Sequence, residues 1–357
     1  MTTPLNSAER GCLLLADITG YTAYLQGTEL EHAQDVLADL LETIIAQIEP
    51  PFVVSKLEGD AVFAYIGSTD IDASALLDTI EATYFAFRRR LRDVVHSTTC
   101  DCNACILIPS LDLKFFAHLG DYVVRRIGRN EELTGSDVVL VHRLLKGTAK
   151  DKIGNNAFAV LTAPLVGAMA VDVEALGLIE HTEEFDVGPV DVYVENLQER
   201  WQAAEAAAHD VVAKESAHTS LEGVFNASPQ EVWSWFTDPR KRLQWQEGLT
   251  SIDEFVEGRR GVGTVNHCAH GPDVTIQQVV DWQPFTSFTS RDKVGDDGLT
   301  LTSTTVLTPE ADGTHVVVYF FIEPEERRSD LLPNLQAAFG RNGDRLRAVL
   351  AGNPPAS

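Results

Sequence analysis

The chain is short of positive charge, of sulfur and of long apolar runs. Lysine and arginine number 28 against 53 aspartates and glutamates, a net charge of −25 over 357 residues. A nucleic-acid backbone demands a basic footprint, so general nucleic-acid binding is excluded. Nucleotides are not excluded, because a metal ion and a few local cations suffice to hold them. No apolar stretch approaches the roughly 20 residues that span a bilayer, so no membrane span is expected. Met1 to Arg10 lacks the basic-then-apolar pattern of a signal peptide, and a cytoplasmic location is the expectation. The five cysteines, Cys12, Cys100, Cys102, Cys105 and Cys268, are odd in number and mostly clustered. That pattern argues against a secreted disulfide framework and for reduced thiols. Internal repeats are absent, and the only biased tract is a small alanine-rich stretch near residue 205.

What is present describes an ordinary globular protein, 44% hydrophobic and 23% charged. The length exceeds that at which one core usually keeps growing, so two domains are expected. Two acidic motifs stand out. The apolar run Leu13-Leu14-Leu15-Ala16 ends in Asp17-Ile18-Thr19-Gly20-Tyr21-Thr22, and Lys56-Leu57-Glu58-Gly59-Asp60 leads into Ala61-Val62-Phe63-Ala64-Tyr65. Each aspartate sits at the edge of an expected buried strand, where a carboxylate is costly unless a cation meets it. Two such carboxylates together suit Mg²⁺ or Mn²⁺, which take oxygen ligands and usually bind with substrate phosphates.

The first half alternates strand and helix patterns. A strand over 11–16 precedes an amphipathic helix over 29–48, which Pro50-Pro51 stops. A hairpin over 52–66 turns at Glu58-Gly59, and a second helix covers 74–95. Strands over 111–118 and 121–127, separated at Gly120, precede a helix over 135–145 and late strands over 158–160 and 190–195. This β-α-β-β-α-β order indicates an α+β sandwich of ferredoxin-like type. Leu197 to Lys214 reads as a helical connector. In the second half, a strand over 221–226 is followed by Ser228-Pro229-Gln230-Glu231, an N-cap, N1 proline and early acid that announce a helix. Six short strands between 252 and 322 and a closing amphipathic helix over 331–350 complete a helix-grip arrangement.

With these motifs in hand, residues from about 8 to 198 resemble a class III nucleotidyl cyclase domain. His118-Leu119-Gly120-Asp121-Tyr122 looks like the family's His-x-Gly strand turn. Gly135-Ser136-Asp137-Val138-Val139-Leu140-Val141-His142-Arg143-Leu144 parallels its Gly-Asp-x-Val-Asn-x-Ala-Ala-Arg-Leu helix, and Val190 to Leu197 its final edge strand. The resemblance implies metal ligands at Asp17 and Asp60 with the Ile18 carbonyl, and backbone contacts to phosphates from Thr19, Gly20 and Thr22. It also implies a purine-reading Lys56 with an acidic partner at Glu132, and a catalytic Arg143 at the α-phosphate. A homodimer is implied too, because the family's site forms between two chains. Two departures stand beside these matches. Val139 replaces the ribose-positioning asparagine, and the segment expected to carry a polyphosphate lysine reads Glu183-Glu184-Phe185-Asp186-Val187-Gly188.

Cys100-Asp101-Cys102-Asn103-Ala104-Cys105, with His96 upstream, offers three thiolates and an imidazole. A tetrahedral Zn²⁺ site, a redox-sensitive cluster and plain packing all remain open. Residues from about 217 to 351 resemble the START-like (SRPBCC, polyketide-cyclase-like) superfamily. The resemblance rests on Ala227 to Trp233, Thr237-Asp238-Pro239 and Trp282-Gln283-Pro284-Phe285. It implies a cavity for a small hydrophobic ligand, with Leu332, Leu335 and Phe339 on the helix side and Trp245 near the entrance. His267-Cys268-Ala269-His270 puts Cys268 and His270 on one strand face, as a metal or reactive site or as an ordinary strand.

The expected organisation is therefore a cyclase-like domain over 1–198, a helical linker over 199–216 and a START-like domain over 217–357. The expected function is metal-dependent nucleoside triphosphate binding, with formation of a cyclic nucleotide, tuned by the C-terminal ligand. The alternative is a non-catalytic sensor with a degenerate cyclase domain.

Overall fold

The computed structural model describes residues 7–28, 30–97, 103–127, 130–271, 273–295 and 298–352. The chain forms two compact units, 1–207 and 208–357.

In the first unit the apolar run becomes strand β1 (Glu9–Thr19), followed by helices α1 (Tyr21–Gln26) and α2 (Leu30–Ile48). The hairpin β2 (Val53–Glu58) and β3 (Ala61–Ile66) leads to α3 (Ala73–Ser97), α4 (Asn103–Leu107) and β4 (Asp112–Ile127). Next come β5 (Asn130–Thr134), α5 (Ser136–Leu144), α6 (Ala149–Ile153), β6 (Phe158–Thr162) and α7 (Ala163–Met169). The unit closes with β7 (Ile179–Phe185), β8 (Gly188–Asn196) and α8 (Leu197–Ala206). Among the described residues the sheet order is β2-β3-β1-β4-β6-β8-β7, with β5 paired to β4. Its first four strands are antiparallel neighbours in the split-βαβ order of a ferredoxin-like core.

Strand β1 lies between β3 and β4 and alternates between two buried faces. Cys12, Leu14, Ala16 and Ile18 pack with α2 and α3, whereas Leu13 and Leu15 pack with Val138, Val141 and Leu144 of α5. The break expected at Gly120 does not occur: β4 runs unbroken through it. Gly120 faces Gly11 across the ladder, and the Asp121 amide donates to Asp137 Oδ2 at 2.6 Å. A glycine can stay in register in a strand, so its presence alone did not mark a turn. Strands β5 and β7, rich in glutamate, carried no apolar alternation from which to expect them.

In the second unit, β9 (Thr219–Phe225) is followed by α9 (Pro229–Thr237) and α10 (Pro239–Trp245). A meander then runs through β10 (Ser251–Phe255), β11 (Val265–His270), β12 (Asp273–Gln283), β13 (Ser287–Val294), β14 (Leu299–Glu310) and β15 (Gly313–Glu323). The long helix α11 (Arg328–Leu350) closes the unit. The order β10-β11-β12-β13-β14-β15-β9 is antiparallel throughout. Ser228 caps α9 with a full capping box: its hydroxyl accepts from the Glu231 amide, and the Glu231 carboxylate accepts from the Ser228 amide.

Gly11 is the position in β1 least able to take a side chain. A Cβ there would lie 2.2 Å from the Ile66 carbonyl oxygen, a backbone atom of the adjacent strand that cannot swing away. Gly11→Ala is expected to destabilise the first unit by about 1–3 kcal/mol, through strand displacement. Thermal or urea unfolding of the variant checks this, and an unchanged midpoint would count against it.

Candidate functional site

The two acidic motifs meet at one backbone bond. The Ile18 amide donates to the Asp60 carbonyl oxygen at 3.1 Å, joining the end of β1 to the β2–β3 turn. Asp17 is opposite Ala61 on one side and Lys114 on the other. It lies in the face alternation of Leu13 and Leu15, the face that carries α5. Desolvation raises the Asp17 carboxyl above its ordinary value despite the opposing field of Lys114. Asp60 is raised likewise, by desolvation and then by the charge of Asp17. The Ile18–Asp60 bond thus sets two carboxylates whose charges oppose each other at one end of β1.

Lys114 Nζ lies 3.1 Å from Asp17 Oδ2, and both side chains are less than a fifth exposed. One ammonium against two partly dehydrated carboxylates leaves a negative site. Among the described residues no group of three or more histidine, cysteine, aspartate or glutamate side chains gathers to hold a metal. The pair supplies two oxygen ligands and leaves the remaining positions to water and phosphate. This donor set fits a Mg²⁺ or Mn²⁺ that arrives with a polyphosphate.

Beside this pair lies a chain of charges. Lys56 Nζ contacts Glu58 Oε1 at 2.7 Å and Glu132 Oε1 at 3.5 Å. His142 Nε2 lies 2.8 Å from Glu58 Oε2, and its Nδ1 is 2.7 Å from the Val138 carbonyl oxygen. The hydrogen bond from Lys56 to Glu58 raises the lysine above its ordinary value. Burial pushes Glu58 up, yet Lys56 and His142 outweigh it and hold that carboxyl below its usual value. Lys56 is thus presented between two carboxylates, one of them Glu132 on β5.

Thr19 ends β1, Gly20 links it to α1, and Thr22 lies in the first turn of α1. Gly20 has a left-handed backbone, φ 92°, and begins α1, which is only six residues long. Thr22 is exposed, and Thr19 Oγ1 is buried without a hydrogen-bond partner among the described residues. Arg143 takes another course: its guanidinium pairs with Asp186 in the β7–β8 turn. Among the described residues it makes no ion pair with Asp17 or Asp60. Val139, one helical turn before it on α5, is 51% exposed. The acidic segment also has a structural role, since the buried Glu183 carboxylate accepts from the Thr148 and Ala149 amides at the start of α6.

The cysteine cluster falls outside what is described. Cys100 and Cys102 are outside the described residues, and nothing is described of the His96 and Cys105 side chains.

The second unit contains a cavity of about 260 Å³ between its sheet and the C-terminal half of α11. Trp245 and Phe339 line it as expected. Leu332 and Leu335 do not appear in its wall and are half-buried further toward the start of α11, where the helix has not yet reached the cavity. Cys268 and His270 both face in from β11. The aromatic wall of Phe225, Phe236, Phe288 and Phe320 is joined by Arg242, Gln277 and Asp292. Lys114, Arg242, Gln277 and Asp292 gave no motif signal. Lys114 is a single cation within Leu113-Lys114-Phe115-Phe116, noticeable only once β4 is laid beside β1.

Two family models match the sequence. Residues 37–152 match the one described as protein of unknown function (DUF2652), and residues 216–351 match polyketide cyclase / dehydrase and lipid transport. The C-terminal part is a domain of this second kind. A Mycobacterium tuberculosis relative, described as uncharacterized protein Rv2561/Rv2562, is 37% identical over 112 residues, 31% of this chain and 51% of that one. The chain thus spans about half the length of that relative. Among solved structures, the N-terminal region is similar to the adenylyl cyclase CyaB from P. aeruginosa. That match has 15% identity and a TM-score of 0.38, covering 53% of this chain and 95% of that one. The DynU16 protein of the dynemicin biosynthetic locus matches with 22% identity and a TM-score of 0.32, covering 38% and 48%.

Asp292 yields a pH-dependent expectation for this domain. Burial pushes its carboxyl up to about 6 against the opposing effects of Ser290, Gln277 and Arg242. A folded value above the unfolded one favours the neutral acid in the fold. That contribution is complete below pH ~4 and is lost as pH rises through about 6. Asp292→Asn is therefore expected to stabilise the C-terminal domain above neutrality, by no more than about 3 kcal/mol, and to change little near pH ~4. Melting curves of both proteins at the two pH values check this; an equal shift at both would contradict it.

Proposed function

We propose that the first unit binds a nucleoside triphosphate together with a divalent cation at Asp17 and Asp60, and that the second binds a small hydrophobic ligand. The functional parts are residues 1–198 and 217–357, joined by 199–216. The observation that carries the reading is the junction at the Ile18–Asp60 bond, which brings two dehydrated carboxylates together at the end of a buried strand. Such a pair has more to gain from a dication than from the single ammonium of Lys114.

Asp17, Asp60 and the Ile18 carbonyl would hold the cation. When bound, it would neutralise phosphate oxygens and favour ionisation of a ribose hydroxyl. Lys56 and Glu132 offer an adjacent donor and acceptor, which suits the edge of a base. Lys114 lies where it can pass from Asp17 to an incoming phosphate, offsetting the missing cation in the β7–β8 segment. Among the described residues Arg143 makes no ion pair with Asp17 or Asp60 of its own chain. That supports a site completed by a second copy, with Arg143 and the exposed Val139 on the face that would meet it.

A second reading, binding without turnover, is favoured by the ion pair of Arg143 with Asp186. An arginine already neutralised by a carboxylate gives less stabilisation to charge developing on a phosphate. Cyclisation is accordingly expected to be slow relative to binding.

Calorimetry of the purified full chain with Mn²⁺ and each nucleoside triphosphate tests the reading, alongside an assay for cyclic products. Binding is expected only with the metal present, and Asp60→Ala is expected to weaken it roughly tenfold or more. Lys114→Met removes the competing ammonium and is expected to tighten Mn²⁺ binding alone while weakening the nucleotide complex. Nucleotide binding that is indifferent to metal and to Asp60→Ala would overturn the proposal.

A further inference from the structure

The cavity of the second unit has a polar end with an unusual accounting of hydrogen bonds. Arg242 on α10 is 7% exposed, and its Nη1 donates to Gln277 Oε1 at 2.8 Å. Its Nε donates to Gln246 Oε1 at 3.2 Å, and its Nη2 lies 3.8 Å from Cys268 Sγ. Gln277 Oε1 also accepts from Asn266 Nδ2 at 3.3 Å. The amide nitrogen of Gln277 donates to Ser290 Oγ at 3.4 Å and to Asp292 Oδ2 at 3.2 Å. All four hydrogen-bonding positions of Gln277 are thereby used, which fixes which way the amide points. Gln277 stands between guanidinium and carboxylate, and the two make no direct ion pair among the described residues. Among the described residues Asp292 Oδ1 is left buried with no hydrogen-bond partner.

We propose that the Arg242–Gln277–Asp292 relay is a recognition element that selects an uncharged, hydroxyl-bearing amphiphile and rejects both anions and cations. The inference rests on the reading of this cavity as a ligand site. The hydroxyl donates to the Asp292 carboxylate and accepts from the guanidinium side, and the apolar body lies against Phe225, Phe236, Phe288, Phe320 and Phe339. A ligand carboxylate would be brought against Asp292, and a ligand ammonium against Arg242. Arg242 and Asp292 Oδ1 are both buried, and against buried charges either encounter costs more than the opposite charge returns. The other titratable groups facing the cavity leave this balance intact. Glu247 is ion-paired to Arg341, while burial favours the neutral forms of His270 and Cys268. A hydrocarbon without the hydroxyl leaves the carboxylate unsatisfied, so it also binds less well.

Four probes with one naphthalene body separate these cases: naphthylmethanol, naphthoate, naphthylmethylammonium and methylnaphthalene. Their binding to the full chain is measured by calorimetry near neutral pH. The alcohol is expected to bind roughly tenfold tighter than each of the others. Asp292→Asn leaves Arg242 as the uncompensated charge, so naphthoate is expected to gain about tenfold while the alcohol weakens. Arg242→Gln is expected to favour naphthylmethylammonium in the same way. A gain in affinity cannot come from misfolding, which keeps the variants informative. Probes that bind without preference for the alcohol, or no exchange of preference in Asp292→Asn, would overturn the relay while sparing the cavity as a ligand site. No binding by any of the four would overturn both.

Discussion

Strand β1 is paired on both edges and buried on both faces, and the geometry of the first unit depends on that. Its ladders with β3 and β4 place Asp17 between Ala61 and Lys114. The one further bond from the Ile18 amide to the Asp60 carbonyl sets the second aspartate beside the first. A carboxylate at the end of such a strand has lost much of its water before any ligand arrives. The fold therefore sets two partly dehydrated carboxylates at the end of a buried strand, beside the single ammonium of Lys114.

The two units handle a buried charge in different ways. In the first, Lys114 contacts Asp17 directly, and the neighbouring Glu58 is held between Lys56 and His142. In the second, a neutral amide separates Arg242 from Asp292. Direct contact neutralises and can be displaced by a stronger cation. Separation by a fully committed amide keeps both charges available to a ligand, at the cost of an unsatisfied carboxylate oxygen. The arrangement in the first unit therefore suits exchange of ions, and that in the second suits discrimination by polarity.

Much of the framework was legible beforehand. The helix pattern over 29–48, the hairpin at Glu58-Gly59 and the cap Ser228-Pro229-Gln230-Glu231 all correspond to observed elements. The α+β class of the first unit and the sheet-and-helix class of the second follow from such local signals. Errors came where local signal was weak or ambiguous. Gly120 read as a break because glycine more often interrupts a strand than continues one, and the glutamate-rich β5 and β7 lacked any apolar period. Leu332 and Leu335 have the right spacing for a buried helix face, but spacing does not say which turn of α11 reaches the cavity.

The sequence by itself determined the two kinds of domain, the strand that ends in Asp17 and the turn that carries Asp60. Those are properties of neighbouring residues: period, capping and the punctuation of glycine and proline act over a few positions. Only the tertiary structure decided that Lys114 meets Asp17, that Glu132 returns to Lys56, that Asp186 holds Arg143, and that Gln277 stands between Arg242 and Asp292. Each of these is a contact across a ladder, a turn or a cavity. It exists because strand order and register bring distant charges within reach, and burial spares the Lys114–Asp17 pair the screening that the exposed Arg143–Asp186 pair meets.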